Sequence, residues 1–248
     1  MIKFFRKIRQ NLLSEGKTGK PSLSAGRYLK YAIGEIILVV IGILIAVSIN
    51  NWNEGQKNKA LEKNMLENLV ENLEQNCDRL KSRIQSISLY RKSGYVIISA
   101  IENKLIDQDS LENYFHTALM NTSNIGLSET GYSVIKNDGF EIIRNQALKK
   151  EMMVFFEETQ PHLQSDLSWG TIDMADREKF IDENFIQIPN EKGITYKPFD
   201  LESLLNNHYF IALVHKTDTQ RSWFSIILES HLKESQRMIE MIKIELNK

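Results

Sequence analysis

Residues 31–49, YAIGEIILVVIGILIAVSI, carry a single charge, Glu35. As a helix, 19 residues rise roughly 28 Å, close to the thickness of a bilayer's hydrocarbon core. In lipid every backbone polar group must be paired within its own segment, so such a run is held to a helix. Trp52 follows at once and suits the headgroup layer. A cleaved secretory signal is the competing reading, because residues 36–47 are an apolar core of permissible length and Ala46 and Ser48 resemble a weak cleavage site. That leader would be about 48 residues long against a usual ~15–30, so a retained span over residues 31–51 is expected.

Charge is distributed unevenly around this run. Residues 1–32 hold eight basic residues against one acid, Glu15, a net +7; residues 52–248 hold 23 basic residues against 30 acids, a net −7. Basic residues collect on the cytoplasmic side of a span, so the N-terminus is expected in the cytoplasm, the span in the cytoplasmic (inner) membrane, and residues 52–248 outside. Within the head, Met1, Phe4, Phe5, Ile8 and Leu12 recur at helical spacing opposite Lys3, Arg6, Lys7 and Gln10. That pattern fits a helix lying on the anionic inner leaflet. SEGKTGKPSLSAG, rich in Gly, Ser and Lys, reads as a linker that closes a head of residues 1–30. Its Gly16-Lys17-Thr18 is not a phosphate-binding loop, since Asn11 stands where that motif needs its first glycine.

The segments FFRKIRQNLLSEGKTGKP, AGRYLKYAIGEIILVVIGILIA and SINNWNE together resemble the N-terminal signature of a family of bacterial membrane proteins of unknown function. The resemblance is specific over residues 1–54 and loose beyond. It implies one N-terminal span followed by a helical domain, and it brings no activity, substrate or catalytic residue.

Past Asn53 the apolar pattern is helical almost throughout. Leu66, Leu69, Val70, Leu73, Cys77, Leu80, Ile84, Ile87, Tyr95, Ile98, Ile101 and Leu105 form one stripe, interrupted by Arg91. It predicts a helix from about Gln56 to Lys104, with a possible kink at Ser93-Gly94. A strict heptad would set Asn76 and Arg83 in the seam, so a bundle helix fits better than a coiled coil. Cys77, the only cysteine, lies on the stripe and reads as a small buried hydrophobe. Asp109 and Glu112 resemble a helix start, with Leu111, Tyr114, Phe115, Ala118 and Leu119 on one face. A shorter segment runs from Ser128 to near Gly139. Asn145 is set to cap a helix with Leu148, Met152, Phe155, Phe156, Thr159, Leu163 and Leu167 inward, bent by Pro161. Residues 187–199, QIPNEKGITYKPF, read as a loop or a small hairpin. Asp200 caps a helix carrying Leu201, Leu204, Leu205, Tyr209 and Leu213. The last helix is expected from Thr217 or Thr219, with Trp223, Phe224, Ile227, Met238 and Ile242. Four long helices and two or three short ones give the expected class: all-α, a transmembrane helix followed by an antiparallel bundle over residues 52–248.

No chemical motif stands out. His208 and His215 are seven apart, and His231 lies on the next expected helix, from which it can approach them, but no pair has the spacing of a zinc helix. The sequence has no GxSxG, CxxCH or dinucleotide fingerprint. No catalytic residue, metal or cofactor is therefore expected, and the acidic body argues against nucleic acid as a partner. The expected function is a membrane-anchored, non-catalytic interaction or assembly protein. The alternative is a ligand-sensing helical bundle that signals through a membrane partner. An enzyme on unrecognised side chains is the third hypothesis.

Glu35 singles out one face of the span. At about 100° per residue, Gly42 and Ala46 lie about 20° to either side of it, Asn53 is in line and Asn50 within about 60°. Small residues let helices approach closely, and polar groups prefer a protein partner to lipid. Glu35, Gly42, Ala46, Asn50 and Asn53 thus form the candidate pairing face, towards a second copy or another membrane protein. Against this stands simple snorkelling of Glu35 towards Lys30 or Arg27.

Overall fold

The protein is known from a computed structural model, which describes residues 25–102, 108–120, 125–168, 174–191 and 193–248. The amphipathic head, most of the linker and Leu105 lie outside the described residues. The chain divides into two compact units, Met1–Lys57 and Asn58–Lys248. In the first unit the described residues belong to helix α1, Ala25–Ile101. Residues 31–57 are all exposed, and this helix is long and apolar enough to cross a membrane. The helix begins at Ala25, not at residue 31, and continues through the position near Gln56 where a separate helix was expected. Gly55 and the asparagines at 50, 51 and 53 lower helix propensity, but a lone glycine costs only about 1 kcal/mol. No proline is present there to stop the ladder.

The second unit is predominantly helical. After α1 come α2 (Gln108–Leu119), α3 (Thr130–Val134) with a π-turn at Ile135–Gly139, and α4 (Gln146–Val154). A second π-turn, Phe155–Thr159, leads into α5 (Gln160–Ser168), then α6 (Met174–Asn184). An antiparallel hairpin follows, β1 (Phe185–Asn190) and β2 (Gly193–Pro198), and then α7 (Leu201–Leu205) and α8 (His208–Leu246). The all-α expectation thus needs one amendment, the hairpin, which is the second of the two forms foreseen for residues 187–199. Gly193 closes it at φ 129°, a backbone region that side chains rarely allow. Phe185 pins the hairpin into an aromatic group, 5.4 Å from Phe115 and 6.4 Å from Phe210 between ring centroids.

Three buried clusters line α1 in order. Met65, Leu69 and Leu73 meet Tyr132, Ile143, Met152, Phe155 and Ile242. Leu80 and Ile87 meet Leu163, Leu167, Phe224 and Leu228. Ile97 meets Phe115, Phe185, Phe210 and Val214. Helix α8 therefore runs antiparallel to α1, its C-terminal end beside residues 65–77 and its start beside Ile97. The cross-links agree: Lys243 reaches Glu74 at 2.6 Å and Arg91 reaches Asp218 at 2.9 Å. Asn76, the residue that spoils a heptad, is buried and satisfied: its side chain donates to the Ser128 carbonyl at 2.8 Å and accepts from the Ser128 amide at 2.9 Å.

Several sequence expectations change. Four long helices were expected; among the described residues two are long, α1 with 77 residues and α8 with 39. The last helix starts not at Thr217 or Thr219 but at His208, capped by Asn207, whose side chain accepts from the Phe210 amide at 3.1 Å. Thr217 lies inside the helix, buried, with its hydroxyl bonded to the Leu213 carbonyl. A threonine that satisfies itself on the preceding turn need not begin a helix. Asp200 caps only the short α7. Asn145 caps α4 as expected, accepting from the Ala147 and Leu148 amides at 3.1 Å.

The π-turn before Pro161 adds a residue to the helical register. Gln160 is buried in place of Thr159, and the turn stands next to the carbonyls that the proline ring cannot serve. Tyr95 and Trp223, both expected inward, are exposed, while Ile97 occupies the inner line of α1. Helix α1 passes through Ser93-Gly94 without interruption.

Candidate functional site

Two places repay attention, the polar face of the apolar segment and the buried polar groups of the helical domain. On the first, Glu35, Gly42, Ala46, Asn50 and Asn53 are all exposed on one continuous helix. A methyl group added at Gly42 would meet nothing within 4 Å, so the chain itself uses no close approach there. Ser48 turns its hydroxyl back to the Leu44 carbonyl at 2.7 Å and so adds no free donor to the apolar surface. The remaining surface of residues 36–49 is Ile, Leu and Val, exposed. This helix presents to its surroundings what a soluble protein would bury.

In the helical domain the histidines do not converge. His208 and His215 are exposed near the start of α8. His231 shares that helix, 16 residues and hence roughly 24 Å beyond His215, so the expected approach from a neighbouring helix does not occur. It is buried, 4% exposed, stacked on Phe155 with ring centroids 5.4 Å apart. Its Nε2 has no hydrogen-bond partner among the described residues, and burial pushes its pKa down to about 4. Cys77 is buried, and that burial raises its thiol pKa, as befits a packing residue. Among the described residues no group of three His, Cys, Asp or Glu is placed to hold a metal ion.

The buried charges are structural links that sequence reading missed. Glu62, 3% exposed, accepts from the Arg144 backbone amide at 2.8 Å and from Arg144 Nε at 2.6 Å. Arg221, 2% exposed, donates to the carbonyls of Tyr90, Thr117 and Met120 at 3.1, 2.7 and 2.7 Å. Arg177 donates to the Leu119 carbonyl at 2.8 Å. Two guanidinium groups thus meet the last carbonyls of α2, where a helix end leaves acceptors unpaired and its dipole favours cations. Burial, with Arg177 close by, lowers the Arg221 pKa to about 10, still charged at neutral pH. The available signal was the stripe on α8, in which Thr217, Arg221, His231 and Ser235 take inward positions.

Residues 35–132 match the model of a family described as "Family of unknown function (DUF6090)". The match begins at Glu35 and ends at Tyr132, so it takes in most of the apolar run and continues into the helical domain, and it leaves out residues 1–34 of the segment 1–54 that carries the resemblance. No curated protein and no solved structure matches the chain.

Proposed function

We propose that this is a membrane-anchored interaction or assembly protein without a catalytic step of its own. Residues 1–30 form a basic head on the cytoplasmic face, residues 31–51 span the inner membrane, and residues 52–248 are a helical-bundle domain outside. The observation that carries this reading is the exposed apolar helix with its one polar face. Among the described residues nothing covers residues 31–57, and a bilayer is the solvent that accepts such a surface. Assembly runs through Glu35, Gly42 and Ala46, which face a second copy of the span or the span of another membrane protein.

The test is crosslinking in the membrane, followed by detergent extraction and affinity purification. Contacts of this kind contribute about 1–2 kcal/mol, so Gly42→Leu and Glu35→Gln should each weaken association about fivefold or more. Leu38→Ala, on another face, should leave association unchanged. If Leu38→Ala weakens association and neither of the others does, the pairing face is wrong.

A further inference from the structure

The arginines of the helical domain each donate to at least one acceptor on the protein, with one exception among the described residues, although the Arg221 Nε also lacks a partner there. Arg91 pairs with Asp218, Arg144 with Glu62 and Arg237 with Glu151, while Arg177 and Arg221 serve helix-end carbonyls. Arg83 is the exception. It is half-buried, and its Nε–H meets no acceptor among the described residues. Burial lowers its pKa with no carboxylate to oppose the shift.

Arg83 does not stand alone. It lines an open cleft with Arg79, Ser82 and Ser86, whose spacing along α1 places them on one helix face. Ile125 and Gly126 form the opposite wall. That wall is fixed: Arg79 donates to the Gly126 carbonyl at 2.9 Å, Gln164 to the Ile125 carbonyl at 3.1 Å, and Asn76 grips Ser128. Asp78 lines the same cleft, its carboxylate paired with Lys81 at 3.0 Å. A guanidinium kept partly out of water costs stability unless something accepts its hydrogen bonds.

We infer that the Arg79–Arg83 cleft binds a small oxyanion, phosphate or carboxylate, which is held between the terminal N–H groups of the two guanidinium groups. The planar fork of arginine matches the paired oxygens of such a group. The serine hydroxyls of Ser82 and Ser86 edge the same site. The assignment concerns α1 within the helical domain and holds whether or not the span pairs.

The experiment is calorimetric titration of the full chain in nonionic detergent, with inorganic phosphate in one arm and acetate in the other, at constant ionic strength set with chloride. The expected result is saturable binding in the phosphate arm. Saturation there alone assigns a tetrahedral anion, and saturation in both arms assigns either oxyanion. Arg83→Gln and Arg79→Gln should weaken binding at least tenfold, and the exposed Lys150→Gln should leave it unchanged. Arg83→Lys keeps the charge and the stem but lacks the fork, and should also weaken binding, which guards against a folding defect in Arg83→Gln. In the absence of phosphate, Arg83→Gln should melt no lower than the parent chain, since the group removed has no acceptor among the described residues. Absence of saturation in both arms overturns the proposal, as does phosphate binding by Arg83→Gln equal to that of the parent.

Discussion

Arg221→Met is expected to destabilise the helical domain by on the order of 3 kcal/mol. The substitution keeps most of the stem volume but removes the donor to three carbonyls at once. The Tyr90 carbonyl lies inside α1 and retains its helical partner. Those of Thr117 and Met120 belong to a helix end and have no other partner among the described residues. A buried polar group left unpaired costs about 1–3 kcal/mol, so two orphaned carbonyls set the scale. Chemical denaturation of the full chain in detergent, followed by circular dichroism, measures the loss. Arg221→Lys should recover only part of it, since one ammonium cannot span acceptors that the fork reaches together.

Acidification should unfold the same domain through His231. Its folded pKa lies at about 4 because burial disfavours the charged ring, whereas the unfolded chain takes up that proton near pH ~6.5. Between those values the unfolded state holds more protons, so stability falls as the pH falls. From pH 7 to pH 4.5 the loss assigned to this group is roughly 2–3 kcal/mol. Glu234 beside it works weakly in the opposite direction. His231→Phe keeps an aromatic ring against Phe155 and removes the titration. The difference in unfolding free energy between pH 7 and 4.5 should be smaller in this variant by that amount, and an unchanged pH slope would refute the assignment.

Most of the helical architecture was legible because it is carried by apolar periodicity. The stripe from Leu66 to Ile87, the face of Leu111, Phe115 and Leu119, and the cap at Asn145 all follow from local rules. What was lost is where polar residues occupy inner positions. Thr217 and Arg221 interrupt the stripe on α8, and a pattern built on apolar residues ends the helix there. The backbone continues because Thr217 bonds its own preceding turn and Arg221 finds carbonyls on α1 and at the end of α2. Those partners are over 90 residues away in sequence and carry no local signal. The π-turn at Phe155–Thr159 was hidden for a related reason: a one-residue shift in register exchanges Thr159 for Gln160 without altering the apolar count. For the candidate pairing face, the positions of Glu35, Gly42 and Ala46 follow from helical geometry alone, and the continuous helix retains that geometry. The Arg79–Arg83 cleft was not legible, because its second wall, Ile125 and Gly126, comes from a segment about 40 residues further along the chain.

The central claim is that residues 31–51 hold the helical domain on the outer side of the inner membrane. It is tested most directly by fusing, after Lys248, a reporter enzyme that folds to activity only outside the cytoplasm, and washing the membranes at high salt and alkaline pH. An active reporter that stays with the membrane through the wash is the predicted result. An inactive reporter, or an active one released into the wash, would contradict it.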